Sequence, residues 1–125
     1  MSHVLHPPSA VLADLLDSEL IPHAVRAEVL SSTVSLQARP GQVQDVLDWA
    51  REFQSDVLLV VQQSVVRLST ATTINEVHIE VWTHLPLVLA LRIFARTGST
   101  PEIGEPVRLT VNEMDELTAL AEAVA

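Results

Sequence analysis

His78, Glu80 and His84 are the residues whose types and spacing come nearest to chemistry. They alternate with Val77, Ile79, Val81 and Thr83, the two-residue period of a strand, so they share one face with Trp82. Side chains two apart on a strand stand ~7 Å apart, a separation that His-x-His metal pairs use. His78-x-Glu80 would supply two ligands, with a third from His23 or from outside. The same pattern describes the wet face of an antiparallel strand. No second ligand motif accompanies it, so no metal site is expected. His3 and His6 are assigned no role.

Other chemistries lack their parts. No G-x-S-x-G elbow surrounds Ser64, Ser69 or Ser99, so no activated serine is expected. The three glycines, Gly41, Gly98 and Gly104, form no phosphate-binding pattern. Glu102 and Glu105 read as a solvated loop pair. Glu113, Asp115 and Glu116 read as first-turn acids favoured by the helix dipole. No catalytic residue and no cofactor are expected, and the chain reads as a non-enzyme.

Composition narrows the partners. The 125 residues carry 16 acids against 7 cations, a formal charge of −9. That balance disfavours phosphate-driven binding of nucleic acid and anionic membrane surfaces. It favours attraction to a basic partner. Cysteine is absent, which removes disulfides, thiol nucleophiles and thiolate metal sites. All seven cations are Arg, and Lys and Tyr are missing, a bias that fits a high-GC bacterium or phage. No stretch approaches the ~20 apolar residues of a membrane span. The first residues lack the basic and apolar regions of a signal peptide, so a cytoplasmic location is expected.

The elements that must position these residues follow from periodicity. Ser9 caps an amphipathic helix carrying Val11, Leu12, Leu15, Leu16 and Leu20. Pro22, Val25 and Val29 suggest a second short helix ending near Ser31–Ser32. Val34 and Leu36 mark a strand, and Arg39-Pro40-Gly41 a turn. A helix spans Gln42 to Gln54, with Val43, Val46, Leu47, Ala50 and Phe53 as its stripe and Trp49 at the edge. Val57–Val61 is a strand. Gln62-Gln63-Ser64 is a turn, unless 57–71 is one long bent strand. Val66, Leu68 and Thr70 share a strand face. Thr72 to Glu76 is a loop, followed by the strand from Val77. Pro86 opens a helix to about Arg96, ended by Thr97-Gly98. Val107, Leu109 and Val111 mark a last strand. Asn112 caps, with Asp115, a final helix carrying Leu117, Leu120, Ala121 and Val124.

The expected class is α+β: a small antiparallel sheet of about four to five strands with helices on one face. If 57–71 is one strand, the order becomes ferredoxin-like. The chain divides into an N-terminal helical arm, 1–32, and an α+β core, 33–125, within a single domain.

Two features suit binding better than catalysis. Trp82 stands on the polar strand face beside His78, Glu80 and His84, covered by its own chain or serving as an anchor. The helix after Pro86 is apolar nearly all round: Leu87, Leu89, Leu91 and Phe94 share it with only Arg92 and Arg96, so it must be buried on most sides. A second copy of the chain is expected along Leu87 to Ala95. The leading expectation is therefore a non-enzymatic protein-protein interaction or assembly module, homodimeric. An acidic inhibitor or regulator of a nucleic-acid-binding protein is one rival, and a small metal- or His-dependent enzyme is another.

Overall fold

The computed structural model describes residues 24–29, 32–98 and 102–123. The expected helix from Ser9 and the terminal Val124 lie outside them. The described chain runs β1 (Ala24–Val29), β2 (Thr33–Ala38), α1 (Val43–Phe53), β3 (Val57–Gln62), β4 (Val65–Ile74), β5 (Val77–Leu85), α2 (Leu87–Thr97), β6 (Pro106–Leu109) and α3 (Val111–Ala123). The class is α+β, with one mixed six-stranded sheet in the order β1-β2-β5-β4-β3-β6. No described helix is long and apolar enough to cross a membrane.

Four expectations about the sheet are corrected, the first its size: it has six strands rather than four to five. Residues 24–29 form a strand, not a second helix, because they supply an antiparallel partner to β2. The sheet is mixed rather than antiparallel: β2 and β5 pair in parallel. The connection through α1 carries the chain from β2 past β5 and β4 to β3. Residues 57–74 form a hairpin turning at Gln63–Ser64. That adds a strand to the ferredoxin-like order and removes it as a description.

The next hairpin is tighter than expected. Strand β4 continues to Ile74, and Asn75 and Glu76 make the whole turn with φ of 51° and 68°. Two successive positive φ values match the twist of the flanking strands. Asn tolerates that conformation well.

Alternation then sorts every strand into two faces. Val34, Leu36, Leu59, Val66, Leu68, Ile79 and Val81 are buried on the helix side. They meet Val46, Leu47 and Ala50 of α1, Ala90, Ile93 and Phe94 of α2, and Met114 and Ala121 of α3 in one core. Buried hydroxyls find acceptors there: Thr83 Oγ1 donates to the Arg39 carbonyl at 3.0 Å, and Thr118 Oγ1 to the Met114 carbonyl at 2.7 Å. Asp45 is buried on the flank of α1, and Arg39 donates to both its carboxylate oxygens at 2.8 and 2.7 Å.

The start of α3 lies two residues earlier than its sequence suggests. The cap is Thr110, not Asn112, and its partner is Glu113, not Asp115. Glu113 N–H donates to Thr110 Oγ1, and Thr110 N–H donates to Glu113 Oε1, each at 3.1 Å, a reciprocal capping box. Val111 accordingly belongs to the helix, not to a strand. Asp115 instead accepts from Gln44 at 2.9 Å and Arg51 at 3.3 Å, tying α3 to α1.

The Thr110 backbone N–H, and secondarily its hydroxyl, hold the Glu113 carboxyl below its ordinary value. A lowered folded-state value favours the folded chain above the unfolded-state value, and that contribution is lost as pH falls through the folded one. Glu113→Gln is expected to melt below the native chain at about pH 7, and by less at about pH 3, below the ordinary Glu range. Thermal melts followed by circular dichroism at both pH values check this. A gap that stays constant contradicts it.

Candidate functional site

The sheet face opposite the helices is built by the alternate residues of the same strands. From β5 come His78, Glu80, Trp82 and His84, from β4 Arg67, Ser69 and Ala71, and from β2 Ser35. Register places Arg67 opposite His84, Ser69 opposite Trp82 and Ala71 opposite Glu80. Parallel pairing brings Ser35 beside Glu80 and Gln37 beside Trp82.

Trp82 organises this face. Its Nε1 donates to Ser35 Oγ at 3.0 Å. The guanidinium carbon of Arg67 lies 4.4 Å from its ring centroid, within cation–π range. The imidazole of His84 sits 5.0 Å away, tilted by 53°. Arg67 also donates through Nη2 to Glu80 Oε1, closing an ion pair beside the indole. Trp82 is thus half-buried by side chains of its own sheet.

Glu80 and the exposed His78 line a hollow of about 500 Å³, together with Leu58, Ser69, Ala71 and Arg108. Asp56, which also lines it, forms an ion pair with Arg108 at 3.6 Å. The expected strand spacing of His78 and Glu80 is present. Among the described residues, however, no three His, Asp or Glu side chains come together as a metal would require. The carboxylate of Glu80 is occupied by Arg67.

The helix α2 separates into two faces. Ala90, Ile93 and Phe94 point into the core, and Leu89 packs partly against it. Leu87, Val88 and Leu91 are 45%, 62% and 55% exposed. Of the four apolar residues expected at an interface, Leu87 and Leu91 are therefore outward, whereas Leu89 and Phe94 turn inward. Val88 joins the outer pair. Its i, i+1, i+4 relation to Leu87 and Leu91 was the available signal. Leu120, an exposed large apolar residue of α3, lines a second, smaller groove together with Arg96.

No protein-family model matches the chain, and neither a curated protein nor a solved structure matches it.

Proposed function

We propose that this chain is a non-enzymatic, homodimeric assembly module that docks a second copy through the outer face of α2. The observation that carries the reading is the exposure of Leu87, Val88 and Leu91 side by side on a helix whose other face belongs to the core. Adjacent apolar side chains left in water favour burial against another protein surface. The helix runs without an acid; Arg92, one turn after Val88, borders the patch, and Arg96 lies a further turn on. A two-fold contact centred on Leu87 and Leu91 would bring apolar residues together on its axis, with Arg92 at the edge of the contact.

The open sheet face adds support by what occupies it. Glu80 is engaged by Arg67, and Trp82 by Ser35 and Arg67. These side chains hold each other in place, which suits a rigid recognition surface better than a general acid or base.

Leu91→Arg tests the reading, because a residue so exposed can change without disturbing the core. Light scattering is expected to show that the variant loses the pairing made through α2, with an unchanged circular dichroism spectrum. Equal masses for variant and native chain across a dilution series would overturn it.

A further inference from the structure

We propose that β1 is a self-complementary edge through which two copies of the chain join their sheets, antiparallel, about a two-fold axis at Ala27. The idea rests on the assembly reading but uses a second surface, so that with the α2 pairing it would link dimers into a larger assembly. Strand β1 ends the sheet, and its only strand partner among the described residues is β2. Arg26, Ala27, Glu28 and Val29 are all exposed. The opposite edge, β6, is four residues long and begins with Pro106, which lacks an N–H and so discourages further pairing. Strand β1 has no proline, and after a bulge between Ala24 and Arg26 its ladder runs regularly from Arg26 to Val29.

The residues of β1 say what would fit there. Arg26 pairs with Gln37 and Glu28 with Ser35, which places both charges on the open face; Ala27 and Val29, opposite Leu36 and Val34, lie on the helix face. With Ala27 on the axis of an antiparallel pair, Arg26 of each copy stands opposite Glu28 of the other. The two opposite charges meet twice, at the Cβ separation of ~4.5–5.5 Å at which cross-strand pairs interact. The small Ala27 lets the strands meet at the axis.

Register is specified as well. A slip that pairs residue 26 with its own copy sets Arg against Arg, and one that centres residue 28 sets Glu against Glu. Charged residues on an edge commonly deter pairing. Here their opposite signs, symmetric about an alanine, favour the register centred on Ala27 over the two nearest in-phase slips. The partner of that edge is therefore another copy of the same strand. The formal charge of −9 opposes the approach of two chains, but at physiological ionic strength repulsion is screened beyond ~8 Å.

The absence of cysteine from the chain makes the register directly testable. Ala27→Cys would place two thiols across the axis with Cα atoms ~4.5–5.5 Å apart, within disulfide reach. Val29→Cys, equally exposed, would lie ~14 Å from its own copy, which no disulfide spans. Mild oxidation of the full-length variants at physiological salt is expected to cross-link A27C at least tenfold more than V29C. Two further variants carry the charge argument: R26E is expected to lower the A27C cross-linking yield tenfold, and R26E/E28R, which inverts but keeps the complementarity, to restore it.

Equal yields for A27C and V29C, or a yield indifferent to R26E, would overturn the β1 seam. Repeating A27C with Leu91→Arg separates the two surfaces. The yield is expected to persist; a fall to the V29C level would overturn β1 as an independent seam and leave the α2 reading standing. Failure of the α2 reading would show instead as a mass indifferent to Leu91→Arg, with A27C cross-linking retained.

Discussion

Trp49→Ala is expected to lower the unfolding free energy by about 3–5 kcal/mol. Trp49 is fully buried, the largest of the fully buried side chains. It lies 5.5 Å from Phe53, ring centroid to centroid, at a tilt of 52°. Alanine leaves a cavity that the sheet and α3, both rigidly packed on α1, cannot collapse to fill. Against a typical total of ~5–15 kcal/mol, one residue then carries a large fraction of the stability. Trp49→Phe is expected to cost far less. The indole Nε1 is buried and has no hydrogen-bond partner among the described residues. An unpaired buried donor costs ~1–3 kcal/mol, and phenylalanine removes that donor while keeping much of the ring. Urea unfolding followed by circular dichroism measures both. A Trp49→Phe variant as unstable as Trp49→Ala would show that volume alone decides.

That prediction turns on a residue whose place sequence periodicity misjudges. A helix on one wall of a core has one dry stripe, and by that rule Trp49 falls at its edge. The helix α1 instead lies on the sheet and is also tied to α3 through Gln44, Arg51 and Asp115. Its dry surface is therefore wider than one stripe, and both Asp45 and Trp49 on its flank are buried. The widening is tertiary, invisible to a count of spacings.

The other misreadings have similar causes. Residues 24–29 are too short and too mixed for either period to declare itself; pairing with β2 decides for the strand. At the start of α3, Thr110-x-x-Glu113 and Asn112-x-x-Asp115 are overlapping cap signals. The longer Glu side chain reaches back to the Thr110 N–H, and that choice follows from where β6 ends against β3. Parallel pairing of β2 with β5 joins residues 45 positions apart, as in Thr33 with His78, so nothing local encodes it. By contrast, β3, β5 and α1 were legible nearly to their ends: β5 and α1 each carry an unbroken period, and β3 is a short, continuous run rich in β-branched Val.

Half of the open-face cluster was readable and half was not. The shared face of His78, Glu80, Trp82 and His84 follows from alternation alone. The contact of Arg67 with Trp82 and Glu80 needs the register of β4 against β5. A two-residue turn at Asn75–Glu76 would have supplied it: Ile74 falls opposite Val77 and, counting back, Arg67 opposite His84. A five-residue loop from Thr72 hides that count. Ser35 enters only through the parallel pair and has no signal of its own.

Ile93→Ala and Leu91→Ala, two residues apart on α2, are expected to give opposite results. Ile93 is fully buried and belongs to the common core, so its truncation is expected to cost ~2–5 kcal/mol in chemical denaturation. Leu91 is more than half exposed, and its truncation is expected to change the stability of an isolated chain by no more than ~0.5 kcal/mol. If α2 is a seam, the same Leu91→Ala change should still weaken self-association, because an apolar side chain that does little for the fold has its burial to contribute at a contact. The pair thus separates two roles of one apolar helix. Stability tracks Ile93 and its inward neighbours; assembly tracks Leu91 and its outward ones. A Leu91→Ala chain as strongly destabilised as Ile93→Ala would mean that the outer stripe serves folding, and the case for α2 as a docking surface would fall with it.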